Sequence, residues 1–236
     1  AMPSDMPSAS DANPVDCSNV IVNNSYDEGV AGWSGTAAAW GSDNMNAEIF
    51  GKNFDYYQDI NGLPEGTYQV TVQGFYRAGS AANDYKAYTE NPDSLNHAFI
   101  YAMNGDSIIS SKPMKRLAAE ANSDYVGSDG YVTVLEANDE TGDPGLCVAN
   151  TMTTAGDQFM NDLYYNESVT VKVLADGKLR IGLKKTTDLT DNWTIFDNWK
   201  LTYFGNASAK EADSDPSGIQ TINQTPVMVI EYFTLD

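Results

Sequence analysis

The sequence predicts an all-β protein: a two-sheet antiparallel β-sandwich of jelly-roll type with a long loop insertion. Three observations carry that expectation. Residues 58–77 write a turn and then a strand, because Pro64 fixes φ for the turn, Gly66 gives the freedom to leave it, and Tyr68, Val70 and Val72 then alternate with Gln69, Thr71 and Gln73. Residues 98–109 read as a hairpin around an Asn104-Gly105 two-residue connection. Residues 169–183 read as a second hairpin, in which Val169, Val171 and Val173 alternate with polar residues, Asp176-Gly177 turns the chain, and Leu179, Ile181 and Leu183 alternate on the return.

The remaining elements follow in order. Residues 1–18, rich in small residues and proline, read as a processed or engineered start followed by a flexible leader. The sandwich is expected over 19–205. It starts with a short apolar strand, Val20 to Val22, which ends in the turn-rich stretch 23–29 ahead of Trp33. A second strand over 47–54 carries Ile49 and Phe50. Between the hairpins, residues 110–165 loosen into a short helix over 115–121 and a Gly/Asp-rich loop around 136–145, and a connection of that length carries function or stays mobile. The last sandwich strand, 194–204, places Ile195, Asp197, Trp199, Leu201 and Tyr203 together on the buried face. Residues 206–218 read as a linker, and 219–236 as a tail whose strand-like stretch 227–233 is too short to make a domain.

Charge narrows the partners. With 33 acids against 13 bases in 236 residues, the net charge is −20 at pH 7, which repels nucleic acid and anionic membrane surfaces. No apolar stretch approaches the ~20 residues that span a bilayer. Fourteen tyrosines and four tryptophans suit a neutral polar ligand or a protein surface, although in a sandwich most aromatics fill the core. Cys17 and Cys147 have no metal-ligand spacing and read either as one bridge or as two buried thiols.

No catalytic arrangement stands out. His97 is the sole histidine and there is no nucleophile elbow, so a Ser/His/Asp triad has little to build on, and His97 reads as structural. Neither zinc spacing nor a phosphate-cradling glycine loop is present, and 33 acids make any one carboxylate pair uninformative. The expectation is a non-enzyme. Trp40 and Trp193 are the candidates for stacking on a sugar ring, against the alternative that both indoles plug the ends of the sandwich. Arg77 either forks onto sugar hydroxyls or pairs with an acid. An inward-facing Asp197 needs a cation or several hydrogen bonds. The oxygen-rich turn at 24–28, with Asp27, has the chemistry of a hard-cation site, which makes calcium the candidate; the alternative is that Asp197 caps a loop through backbone N–H groups.

Several motifs, in this order, resemble galactose-binding-like jelly-roll domains of the carbohydrate-binding-module type from secreted and surface proteins of Bacteroides-type bacteria. They are Asn19-Val20-Ile21-Val22-Asn23 with Tyr26-Asp27 and Gly32-Trp33, then Gly62-Leu63-Pro64-Glu65-Gly66-Thr67-Tyr68 with Phe75-Tyr76-Arg77, and finally Asp197-Asn198-Trp199-Lys200-Leu201. The resemblance implies a structural calcium held by Asp27 and Asp197, a polysaccharide or glycan ligand, and a secreted or cell-surface location. The tail, from Ser217 on, looks like the start of a C-terminal sorting segment, which implies further domains of a longer protein. The expected function is therefore non-catalytic carbohydrate binding. The alternatives are a protein adhesion or assembly module acting through 110–165, and a glycoside hydrolase or lyase with an unrecognised acidic pair.

Overall fold

Two antiparallel sheets face each other in the computed structural model, which describes residues 1–218. The tail expected at 219–236 lies outside the described residues. In chain order the first strands are β1 (Val15–Asp16), β2 (Ser34–Gly35), β3 (Ala39–Gly41), β4 (Asn46–Phe50), β5 (Phe54–Ile60) and β6 (Gly66–Arg77). Helix α1 (Ala81–Glu90) follows, then β7 (Ala98–Asn104), β8 (Ile109–Pro113), β9 (Tyr131–Leu135) and β10 (Leu146–Ala149). Helix α2 (Met152–Met160) precedes β11 (Val169–Val173), β12 (Leu179–Lys185) and β13 (Trp193–Tyr203). One sheet runs β11-β6-β13-β4-β3 with β1 also on β13, and the other runs β2-β5-β12-β7-β8. Among the described residues no helix is long and apolar enough to cross a membrane.

The β-sandwich expectation holds, with corrections to its parts. Residues 169–183 are not a hairpin: β11 pairs with β6 in one sheet, while β12 lies between β5 and β7 in the other. Alternation reports that one side of a strand is buried and is silent on which neighbour it pairs with, so two strands facing one core from opposite sheets look like a hairpin. The 98–109 hairpin does form, but its connection is longer than two residues. The Asn104 side-chain oxygen accepts from the Asp106 and Ile108 amides at 3.1 and 3.2 Å, and Ser107 takes a φ of 61°.

The expected strand at 47–54 is two strands in different sheets, β4 and β5, parted at Gly51 with φ 64°. Residues 20–22 do not form a strand. A 3-10 turn, Ser18–Val20, occupies the start, and the Gln58 side chain satisfies Val22 by accepting from its N–H at 2.8 Å and donating to its carbonyl at 3.0 Å. A side-chain amide thus replaces a strand neighbour.

The consequential correction concerns β13. Its register against β6 shifts by one residue between Asp197 and Lys200, where Asn198 adopts a φ of 52°. A one-residue bulge inverts the alternation beyond it. Ile195 and Asp197 therefore lie opposite Phe75 and Gln73 on the outer face, whereas Trp199, Leu201 and Tyr203 join Phe196 in the core between the sheets. The five residues do not share one face.

That outer face has a core of its own. Phe75, Trp193 and Ile195 pack against Leu117, Val148, Phe159 and Tyr164, all buried, so residues 114–165 form a cover over the six-stranded sheet. The cover consists of the β9-β10 pair, α2 and a 3-10 turn, Leu117–Glu120, which stands where a short helix was expected. Helix α1 is fastened to it by a buried ion pair. Asp84 accepts from Arg116 Nε at 2.8 Å, from the Ala78 amide at 2.7 Å and from the Ala118 amide at 3.0 Å. Cys17 and Cys147 are both buried and free.

Both flanks pack on the sandwich. Met6 is buried in the inner core and β1 pairs with β13, so the stretch expected as a leader contributes to the fold. Within 206–218, expected as a linker, the Ser214 carbonyl accepts from Ser111 on β8, and the Asp213 amide donates to Thr170 on β11. The segment bridges the outermost strands of the two sheets.

Candidate functional site

The first candidate is a cleft where the cover ends. The register aligns Phe50, Trp193 and Arg77 as direct neighbours across β4, β13 and β6, and Glu48 follows two residues along β4 on the same side. The start of α2, with Asn150, Thr151 and Met152, forms the opposite wall of a cleft of about 380 Å³. Thr151 caps this helix by accepting from the Thr154 amide at 3.1 Å, while the Thr154 hydroxyl accepts from the Thr151 amide at 3.2 Å.

Arg77 and Trp193 are locked together. The guanidinium sits 5.2 Å from the indole ring, whose Nε1 donates to Glu48 Oε2 at 2.6 Å. Arg77 also donates to the Gly79 carbonyl at 2.9 Å, to Asn150 Oδ1 at 3.1 Å and to the Asp191 carbonyl at 2.9 Å. Neutral oxygens, rather than a carboxylate, hold it. Burial lowers its pKa and the charges of Asp191, Asp84 and Glu48 oppose that shift. Three of its hydrogen bonds are made within the protein, and a guanidinium carries about five N–H donors.

The open ring in this cleft is Phe50, 53% exposed, whereas Trp193 is only 3% exposed. Trp40 lies elsewhere. It pairs with Ala47 on the other face of the sheet, on its outermost strand, and donates from Nε1 to the Tyr26 carbonyl at 2.8 Å. Of the three candidate ligand residues, Arg77 and Trp193 meet and Trp40 does not join them. Sequence reasoning missed Glu48 and Phe50, although Ala47 and Ile49 facing the core would have turned both outward.

The cation candidates sit at the bulge. Asn23 and Tyr26, with φ of 49° and 54°, curl the turn so that the Asn24 carbonyl accepts from the Trp199 amide at 2.8 Å. Tyr26 Oη accepts from Trp199 Nε1 at 2.9 Å and from Tyr56 Oη at 3.2 Å. Asp197 accepts from the Asn198 amide at 2.7 Å, and burial pushes its carboxyl up to about 7, opposed by that N–H and reinforced by the negative charge of Asp27. Asp27 itself accepts from the Ser25 hydroxyl at 2.7 Å. Among the described residues no cluster of three or more metal-ligating side chains occurs. Asp27 and Asp197 are neighbouring carboxylates, the latter buried, and carboxylate oxygens are the ligand type a hard cation takes.

His97 precedes β7 and is half-buried. Burial first, then the positive charges of Arg116 and Lys185, lower its pKa and favour the neutral ring. Compared with known proteins, the chain matches no protein-family model and no curated protein.

Proposed function

We propose that the protein is a non-catalytic carbohydrate-binding module, with its ligand in the cleft built on Phe50, Trp193 and Arg77. The supporting observation is that row itself, an exposed ring beside a guanidinium and a carboxylate that neighbouring contacts hold in place. A pyranose offers an apolar C–H face to Phe50, while its hydroxyls donate to Glu48 and Asn150 and accept from the remaining Arg77 donors. Burial of Arg77 and Trp193 means that little side-chain freedom is lost on binding. The cleft volume of about 380 Å³ lies at the small end of the ~300–1,000 Å³ found for small-ligand sites, which suits one or two sugar rings.

Calcium between Asp27 and Asp197 is the scaffold part of the same reading. Export to the medium or cell surface rests on the motif resemblance alone. Glycan arrays followed by calorimetry test the function. Phe50→Ala should weaken binding about tenfold, the scale of one aromatic contact. Flat responses to plant and host polysaccharides alike would overturn the reading. A melting temperature that neither chelator nor Asp197→Asn moves would remove the calcium.

A further inference from the structure

We infer that a second cleft, between α1 and residues 165–167, is a separate binding site for a neutral saccharide unit. Its volume is about 370 Å³, and Tyr88, Asp93, Asn96, Lys115, Tyr165 and Glu167 line it. It shares the ligand class of the proposed function but none of its residues.

The frame is rigid. Asn166 donates from Nδ2 to the carbonyls of Val72 and Gly74, both at 2.9 Å, and accepts from the Lys115 amide at 2.7 Å. Tyr165 forms an isolated bridge with Gln73 on β6. The preceding Tyr164 takes a φ of 62° and is fully buried, while Tyr165 turns its ring outward, 45% exposed. Across the cleft, α1 is held by the buried Asp84–Arg116 pair, and Arg116 also donates to the Ser94 carbonyl. The partly exposed Tyr165 ring, with its hydroxyl donating to Asp162 at 3.1 Å and Lys200 Nζ 5.7 Å from its centroid, lines the same cleft as Tyr88 of α1.

Three polar side chains here are unspent. Among the described residues the side chains of Asp93, Asn96 and Glu167 make no hydrogen bond or ion pair, whereas Lys115 is paired with Glu120 at 3.6 Å. Two free carboxylates repel phosphate, sulfate and uronate groups and offer only acceptors. Vicinal hydroxyls supply the matching donors, and the tyrosine rings suit the C–H face of a sugar.

The test is 19F NMR of the full chain carrying 3-fluorotyrosine, titrated with neutral mono- and trisaccharides of glucose, galactose, mannose, xylose and arabinose, and in parallel with spermidine. At least one sugar should shift the Tyr88 and Tyr165 resonances, assigned by Tyr→Phe variants. Tyr165→Ala should weaken that response about tenfold while Phe50→Ala leaves it unchanged. Should Tyr165→Ala fail to fold, Glu167→Gln and Asp93→Asn are surface changes that should still weaken it. No shift with any sugar, or a response to spermidine alone, would overturn the inference. Loss in Phe50→Ala without loss in Tyr165→Ala would leave the first cleft standing and remove this one.

Discussion

The two faces of the six-stranded sheet each carry a buried core, yet these are closed by different means. On the inner face, strands meet strands, and a Trp199–Tyr26–Tyr56 chain of hydrogen bonds runs through the core, with Thr194 Oγ1 buried there without a partner. On the outer face, a patchwork of short elements does the covering. Amide side chains span its gaps: Gln73 donates to the carbonyls of Phe159 and Leu163. Even so, Asn46 Oδ1 and both amide atoms of Gln158 stay buried without a partner. The irregular cover leaves clefts at its margins, and both candidate ligand sites lie there.

The largest expected effect tests whether the faces are separable. Trp199→Ala removes the largest buried side chain of the inner core and orphans a Tyr26 contact, so it should cost toward ~5 kcal/mol of global stability in denaturant titrations. Phe159→Ala in the outer core should instead raise amide exchange across 146–160 first, while β5 and β12 keep their protection. Simultaneous loss of protection on both faces would show one cooperative unit and break the comparison.

Next in size is a pH effect at the point where β13 changes face. The Asp197 pKa is raised on folding from its ordinary 3.8 to about 7, so the folded state holds this proton more tightly than the unfolded chain. Its stabilising contribution is fully present below about 3.8 and is lost as pH rises through about 7, amounting to at most ~4 kcal/mol. In chelator, the melting temperature of the wild type should therefore fall across that window, and Asp197→Asn should flatten the fall. Calcium should restore the wild type at pH 8 but not the variant. Parallel curves for the two proteins would rule out Asp197 as the source.

What was legible in the sequence follows from the same contrast. Tyr68, Val70 and Val72 alternate because only one side of that half of β6 is deeply buried, and there the expectation was sound. From Gln73 to Arg77 every residue is buried, because the cover lies on the other side, and the alternation that marks a half-buried strand disappears. The bulge at Asn198 could not be read, since one extra residue leaves the composition of the strand unchanged while inverting its faces. In the first site, Arg77 and Trp193 were found as chemical types, but their contact depends on a β6-β13 pairing between residues 116 apart. Phe50 was given no face, because β4 and β5 were merged into one strand.

Asp84→Asn probes how the cover is held. It removes one member of a pair in which both side chains are almost fully buried, and it sets an amide N–H₂ against backbone donors, at a cost of about 3 kcal/mol. Replacing both partners with apolar residues should recover much of that loss, since neither charge then stays buried alone. Exchange should rise in α1 and at 116–118, with the inner core unaffected. An unchanged exchange pattern would mean that apolar packing alone fastens the cover.

The smallest effect is the most local. Thr151→Ala removes the hydroxyl that accepts from the Thr154 amide, so α2 should lose about 1 kcal/mol of stability. Thr154 also donates to the Gly130 carbonyl at 2.9 Å, which ties the cap to the strand that follows. Loosening that turn frees Asn150, the residue that braces one arm of Arg77. If cleft order depends on the cover, sugar affinity at the first cleft should fall together with α2 protection, and the second cleft should be unaffected. Lost protection with full affinity at the first cleft would show that the sheet alone sets its geometry.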